Sequence, residues 1–283
     1  MKALYDSVCM ECSEMTTKRY STSFSLGIRL LDSSIRPAIY AIYGFVRFAD
    51  EIVDTFHDYD KSDLLQRFKK ETYTAIDEKI SLNPILQSFQ FTVNQYNIDL
   101  ELVETFFKSM EMDLSQQAHD QASYEKYIVG SAEVVGLMCL YVFVNGEQTK
   151  YDELKPSAQR LGAAFQKVNF LRDLNFDMQE LNRVYFPELL NDVWNANSKK
   201  TIEIDIQKDF EVALEGIRKL PSNSRAGVYL AYKYYYCLFK KIRSMPAERV
   251  LNRRVRINNF RKLYIMLRSF ISINFGRSWS LSS

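Results

Sequence analysis

Chain breakers are scarce: 283 residues contain nine Gly and six Pro, and the prolines are widely spaced. A protein rich in strands and tight turns needs more of both. With no sustained alternation of strand type, the shortage predicts a mostly helical, all-α protein. Cysteine is scarce too. Cys9 and Cys12 form a single CxxC, no second pair follows, and the only histidines are His57 and His119. That pattern argues against a structural zinc module and against a disulfide framework, so a reducing, cytoplasmic location is the default expectation. Net charge is nearly absent, with 37 Lys plus Arg against 35 Asp plus Glu. No overall field draws the chain to nucleic acid, and no nucleic-acid partner is expected. The opening MKALYDSVCMECSEM lacks the apolar core of a signal peptide, and the longest apolar run, Val134 to Val144, falls short of the ~20 residues of a bilayer span. With no repeat and no convincing linker, residues 1–283 read as one domain.

What the chain does have is a repeated arrangement of carboxylates. In QKVNFLRDLNFD, Gln166, Asn169, Asp173 and Asp177 follow at spacings of three, four and four, which puts them on one helical face. Phe165, Val168, Phe170, Leu171, Leu174 and Phe176 take most of the remaining circumference. A narrow polar stripe in apolar surroundings predicts a helix facing an internal cavity. A twin lies upstream. In YGFVRFADEIVD, Tyr43, Arg47, Asp50 and Asp54 stand at spacings of four, three and four, again among apolar residues. Carboxylates one turn apart lie about 6 Å apart along the axis and repel when both are ionised. Two such pairs facing across a cavity require cations between them. Oxygen donors with no His or Cys favour Mg²⁺, with Mn²⁺ as the alternative, over zinc. Arg47 and Arg172, interleaved with the carboxylates, suit a phosphate partner held bidentately.

Along the chain, helices are predicted over Leu4 to Lys18, from Arg36 and Pro37 to about Thr55, over Ser62 to Lys79, Pro84 to Tyr96, Asp99 to Leu114 and Ser123 to Phe143. Further helices are expected over Lys155 to Glu180, Ile202 to Leu220 and Ser222 to Arg243, with Asn191 to Thr201 as a surface loop. The hydroxyl-rich stretch Tyr20, Ser21, Thr22, Ser23 and Ser25 around Phe24 reads, by itself, as a turn with helix-capping residues. Asp113, in MEMDL, reads as a helix-end charge. Glu133 sits in the apolar helix among Gly130, Ser131, Ala132 and Gly136, so it needs a cation or water. The Tyr-rich helix around Tyr229 to Phe239 reads as core, with aromatic faces also able to stabilise positive charge. The basic end, from Arg249 to Arg277, contains an amphipathic run, Leu263 to Phe275, suited to a membrane surface or to packing on the body.

Taken in order, YSTSFSLGIRLL, AIYGFVRFADEIVD, GSAEVVGLM and RLGAAFQKVNFLRDLNFD with RVYFP resemble the squalene and phytoene synthase family, the head-to-head prenyl transferases. The resemblance implies an all-α isoprenoid synthase fold and an enzyme that condenses two prenyl diphosphates. By motif, Asp50, Asp54, Asn169 and Asp173 would ligate Mg²⁺, with Asp177 completing the second acidic motif. Tyr20, Ser21, Thr22, Ser23, Phe24, Tyr43, Arg47, Gln166, Arg172 and Tyr235 would line the substrate sites. The expected reaction joins two geranylgeranyl diphosphates, through a cyclopropyl diphosphate, into phytoene for carotenoid synthesis, without NADPH. The same chemistry on farnesyl diphosphate, giving squalene or dehydrosqualene, is the alternative, and a non-catalytic assembly factor of this fold is the remoter one. No obligate protein partner is implied, and product release allows a peripheral contact with the inner membrane surface. Two departures stand out: Val129 replaces a common aromatic, and Glu133 replaces a common Gly. One extra residue between Asp177 and Arg183 leaves Arg183 without an assigned contact.

Overall fold

A computed structural model describes residues 1–115, 118–190, 194–251, 255 and 265. Among these, the regular structure is helical, apart from one isolated parallel bridge between Ala118 and Val184. The basic end beyond Leu251, with its amphipathic run, lies outside the described residues except for Val255 and Ile265.

The N-terminal half is α1 (Lys2–Tyr20), α2 (Thr22–Arg29), α3 (Arg36–Asp54), α4 (Lys61–Glu78), α5 (Pro84–Tyr96) and α6 (Leu100–Ser115). Local chemistry sets the ends. Asp60 caps α4 through the Asp63 N–H at 3.0 Å, and Asn83 caps α5, whose first turn takes Pro84. Lys79 and Asn97 close α4 and α5 in the left-handed region. The hydroxyl-rich stretch is more than a turn: Ser21 accepts the Phe24 N–H at 3.2 Å and starts α2.

Behind α3, Phe45 stacks on Phe89 with ring centroids 3.8 Å apart and meets Phe68, Phe106 and Phe107. Phe45, Phe89, Phe106 and Phe107 have no solvent exposure. Each such ring contributes about 1.5–3 kcal/mol by burial. Their common effect is directional, because a helix anchored by Phe45, Ala49 and Ile52 turns Tyr43, Arg47, Asp50 and Asp54 the other way.

The second half is α7 (Gln121–Ile128), a π-turn (Val129–Glu133), α8 (Val134–Phe143), α9 (Gln148–Gln179), α10 (Ala196–Lys219), α11 (Ser222–Arg243) and the short α12 (Ala247–Val250). The apolar run 134–144 is thus part of a longer element. From Gln121 to Phe143 it has the length and composition to cross a bilayer, and 61% of its apolar window is buried inside the protein. The helix continues through Gly130 because close packing holds it there: a Cβ on Gly130 would sit 2.6 Å from the Ser109 side chain of α6. On the other side, a Cβ on Gly162 of α9 would meet the Ala132 carbonyl at 2.6 Å.

Two helix starts differ from expectation by more than two residues. α9 begins at Gln148, not Lys155, and carries Pro156 in its interior. Tyr151 and Leu154, both 4% exposed, bury the additional turns and offset the bond that Pro156 cannot make. α10 begins at Ala196 inside the expected loop, because Asn195 and Ser198 form a reciprocal capping box.

Candidate active site

A cavity of about 690 Å³ is lined from α1, α2, α3, α6, α7, the π-turn, α8, α9, α10 and α11. On α9 its lining residues run from Leu154 to Asp177, a rise of about 35 Å at 1.5 Å per residue. On both α3 and α9 the lining begins with apolar residues and the carboxylates come last, with Phe170 and Phe176 of α9 set among them. Ile39 and Ile42 precede Arg47, Asp50 and Asp54; Leu161 and Phe165 precede Asn169, Asp173 and Asp177. The acidic rows therefore occupy helix C-terminal turns, where the helix dipole disfavours anions and favours cations.

The electrostatics agree with that placement. Burial, and next the neighbouring Asp54, push the Asp50 carboxyl up to about 8. The Asp50 side chain is 34% exposed, but to the cavity lined by both rows. Asp177 is likewise pushed up to about 8, by burial first, then by Asp173 and by Asp54 from the opposite helix. The two rows thus face each other closely enough to feel each other's charge. Arginines offset part of it. Arg172 donates through Nε to both Asp173 oxygens at 3.1 and 3.0 Å. Arg47 pairs with Glu51 and lies 3.8 Å from Asp50, with its guanidinium 4.5 Å from the Tyr20 ring centroid and a buried, unpartnered Nε.

Arg183, left without a contact in the sequence reading, sits between the rows. Its guanidinium donates to Asp54 at 2.6 Å and to the Val53 and Asp113 carbonyls at 3.2 Å each. Asp113 is correspondingly no helix-end charge. It is 9% exposed, lines the cavity, and accepts from the Tyr127 hydroxyl at 2.6 Å and the Tyr185 hydroxyl at 3.1 Å. Burial lifts its carboxyl to about 6 against the pull of Arg183. Tyr127 and Tyr185 also escaped the sequence reading; their only signal there was a tyrosine at helical spacing and the RVYFP stretch.

Phe24, Tyr43, Phe165 and Tyr235 form an aromatic wall. Phe24 lies 5.6 Å from Tyr43 and 5.9 Å from Tyr235, and Phe165 stacks on Tyr235 at 4.0 Å. The Tyr235 hydroxyl donates to Asn169 Oδ1 at 3.3 Å, and the Asn169 amide donates to Gln166 at 3.3 Å. Of the tyrosines on α11, Tyr235 is the one in the described wall. Tyr20 and Ser21 line the cavity, whereas Thr22 is exposed and neither Thr22 nor Ser23 is part of the wall. The helical turn of α2 accounts for this, since it aims Ser21, Phe24, Gly27 and Ile28 inward and the intervening residues away. Glu133 is also outside the wall, which takes Ser131, Ala132, Val135 and Gly136 from that segment, and Val129 is exposed.

The donor set fits a hard divalent cation of the Mg²⁺ type. Among the described residues, no three acidic, His or Cys side chains converge into an all-protein cage. Mg²⁺ binds instead through one or two carboxylates and completes its shell with water and substrate phosphate. Rows of oxygen donors that repel each other across a cavity, with Arg47, Arg172 and Arg183 beside them, offer that arrangement.

The squalene/phytoene synthase family model matches residues 17–196. By sequence the chain is 26% identical to phytoene synthase 1 of Solanum lycopersicum, over 82% of this chain and 60% of that protein. It is 26% identical to the phytoene synthase of Arthrospira platensis over 89% of each. By structure it is similar to a dehydrosqualene synthase, with a TM-score of 0.80 at 18% identity, covering 95% of this chain and 98% of the other. It is also similar to a squalene synthase from Alicyclobacillus acidocaldarius, with a TM-score of 0.75 at 20% identity, covering 85% and 95%. With its two acidic rows set around one cavity in an all-α isoprenoid synthase fold, the chain belongs to the squalene/phytoene synthase family.

Proposed function

We propose that this protein is a Mg²⁺-dependent phytoene synthase, joining two geranylgeranyl diphosphates head to head, through a cyclopropyl diphosphate, with release of diphosphate. The observation that carries the reading is the pairing of two facing carboxylate rows with a long apolar channel, one end built for a metal–diphosphate and the other for a hydrocarbon chain. The sequence relatives named phytoene synthase, at 24–27% identity, support the C20 substrate.

Asp50, Asp54, Asn169 and Asp173 would hold the metal, with Asp177 beside them. When bound, Mg²⁺ neutralises the leaving diphosphate and so favours rupture of the allylic C–O bond. Arg47, Arg172 and Arg183 add fixed positive charge where the leaving oxygens develop negative charge. Each is paired to a carboxylate, a bond that a diphosphate oxygen would replace on binding. The faces of Phe24, Tyr43, Phe165 and Tyr235 stabilise the allylic cation and keep water from it. Asp113 fixes the orientation of Tyr127 and Tyr185, and burial together with that carboxylate keeps the Tyr127 phenol protonated at neutral pH.

The likeness to a dehydrosqualene synthase favours a second reading, the same reaction on two farnesyl diphosphates. Incubation with geranylgeranyl or farnesyl diphosphate and Mg²⁺, with and without NADPH, separates the readings by the hydrocarbon formed. A C40 product independent of NADPH is expected. A C30 product alone would transfer the assignment to the second reading, and no condensation with either would favour an assembly factor.

A further inference from the structure

Outside the cavity wall, five charged side chains form a continuous alternating series across the π-turn, α9 and α10. Glu133 accepts from Arg160 at 3.2 Å and from Gln159 at 3.0 Å. Arg160 reaches on to Asp209 at 3.4 Å, Asp209 accepts from Lys167 at 2.7 Å, and Lys167 also pairs with Asp205. Glu133 and Asp209 are 3% exposed and Lys167 is 6% exposed. None of the five lines the cavity. Such a series is a poor source of stability, because desolvating the charges consumes most of what their attraction returns. Its directional bonds do fix geometry. Glu133 grips α9 from the π-turn and Asp209 grips it from α10, while Lys167 stands next to Gln166 in the second polar row. The Gly162 contact with the Ala132 carbonyl leaves no slack between π-turn and α9.

We propose that Glu133 and Asp209 are positioning residues that clamp α9 from both flanks through Arg160 and Lys167, and so fix the roll of the Asn169/Asp173/Asp177 row toward α3. A roll of about 10° moves a carboxylate carried about 6 Å from the helix axis by about 1 Å. Misplacement on that scale costs about a hundredfold in turnover. The inference rests on the reading of the rows as a Mg²⁺–diphosphate site.

Arg160→Lys and Glu133→Gln test it. One ammonium cannot span Glu133 and Asp209 as a guanidinium does, and Arg160 is 44% exposed, so the lysine variant will fold. Three measurements are compared with the parent protein: affinity for Mg²⁺ with inorganic pyrophosphate by calorimetry, steady-state kinetics on prenyl diphosphate, and the melting temperature. The clamp predicts pyrophosphate affinity and kcat each reduced at least about tenfold in Arg160→Lys, with melting changed by only a few degrees. Folded variants with parental affinity and kcat would overturn it, whatever happens to their stability. If Glu133→Gln does not fold, Arg160→Lys alone decides. Failure of the parent protein itself to bind Mg²⁺ with pyrophosphate is a different result: it removes the proposed function and the clamp with it.

Discussion

Replacing Arg183 with Met removes the cation that stands between Asp54 and Asp113 while keeping a long side chain. The Arg183 side chain is 8% exposed and contacts Asp54, Asp113, Tyr185 and the Val53 carbonyl. Removing one partner of a buried pair costs about 3–5 kcal/mol, and the 37% exposure of Asp54 to the cavity argues for the lower end. At about 2–4 °C per kcal/mol for a chain of this size, melting should fall by roughly 6–12 °C. The loss should depend on pH. The Asp113 carboxyl, ordinarily at 3.8, is raised to about 6 in the folded protein. A raised carboxyl stabilises the fold below its unfolded value, and that contribution is lost as pH climbs through the folded value. Without Arg183 the folded value rises further, so the loss continues beyond pH 6. Near pH 5 Asp113 is protonated in both proteins, so its share of the gap is small and the lost Asp54 and carbonyl contacts make up the rest. Above pH 6 the gap should widen by up to about 1.4 kcal/mol per pH unit. Urea or thermal unfolding at pH 5, 6.5 and 8, with divalent metal chelated, measures it. Adding Asp113→Asn should diminish the pH-dependent part, leaving the share of Asp50 and Asp177, which Arg183 also holds down. A gap equal at pH 5 and pH 8, or undiminished in the double variant, would show that Arg183 is not the counter-charge of Asp113.

Asp50→Asn and Asp173→Asn should each lower turnover by at least about a hundredfold with the helical circular dichroism unchanged. Because burial holds the Asp50 carboxyl up at about 8, its Asn variant should melt no lower than the parent at pH 8 without metal; a marked drop would contradict the cavity's electrostatics. Chelation of Mg²⁺ should abolish turnover. Burial holds the Asp50 and Asp177 carboxyls up at about 8, so binding Mg²⁺ alone should release protons at pH 7 and almost none at pH 9.5. Calorimetry in buffers of different ionisation heat reads this directly, and heats that do not vary with buffer at pH 7 would count against it. Gly162→Ala should cost about 1–3 kcal/mol and roughly 2–12 °C of melting temperature, since its methyl would meet the rigid Ala132 carbonyl.

The parts of this site legible in the sequence are those written in helical spacing. Tyr43, Arg47, Asp50 and Asp54 could be placed on one face because the Phe45, Ala49 and Ile52 side of the same helix is apolar, and burial of that side is what turns the row inward. The same holds for Asn169 and Asp173 against Val168, Leu171 and Leu174. Arg183 obeys no such rule. It follows Asn182, which takes φ 53° and reverses the chain at the end of α9, with the Arg183 N–H returning to the Asp177 carbonyl at 2.8 Å. That reversal, with no helical period across it, carries the guanidinium to Asp54, 129 positions earlier in the chain. The signal available was the αL-tolerant Asn directly before an Arg that must share a buried neighbourhood with Tyr185. Pro156 shows burial outweighing local propensity. A proline favours a first turn, and its cost inside a helix is about 3 kcal/mol, yet burial of Tyr151 and Leu154 offsets that cost. Glu133 shows the limit of both kinds of signal. Its need for a cation could be read from its apolar neighbours, but the identity of that cation, Arg160, depended on how a π-turn sets one helix against the next. A π-turn shifts the helical register by one residue, so every facing pair inferred across it from a 3.6-residue period is displaced. A partner across such a turn is therefore found by locating the opposite charge on the packed neighbour, and here that charge lies on the helix that also carries the second acidic row.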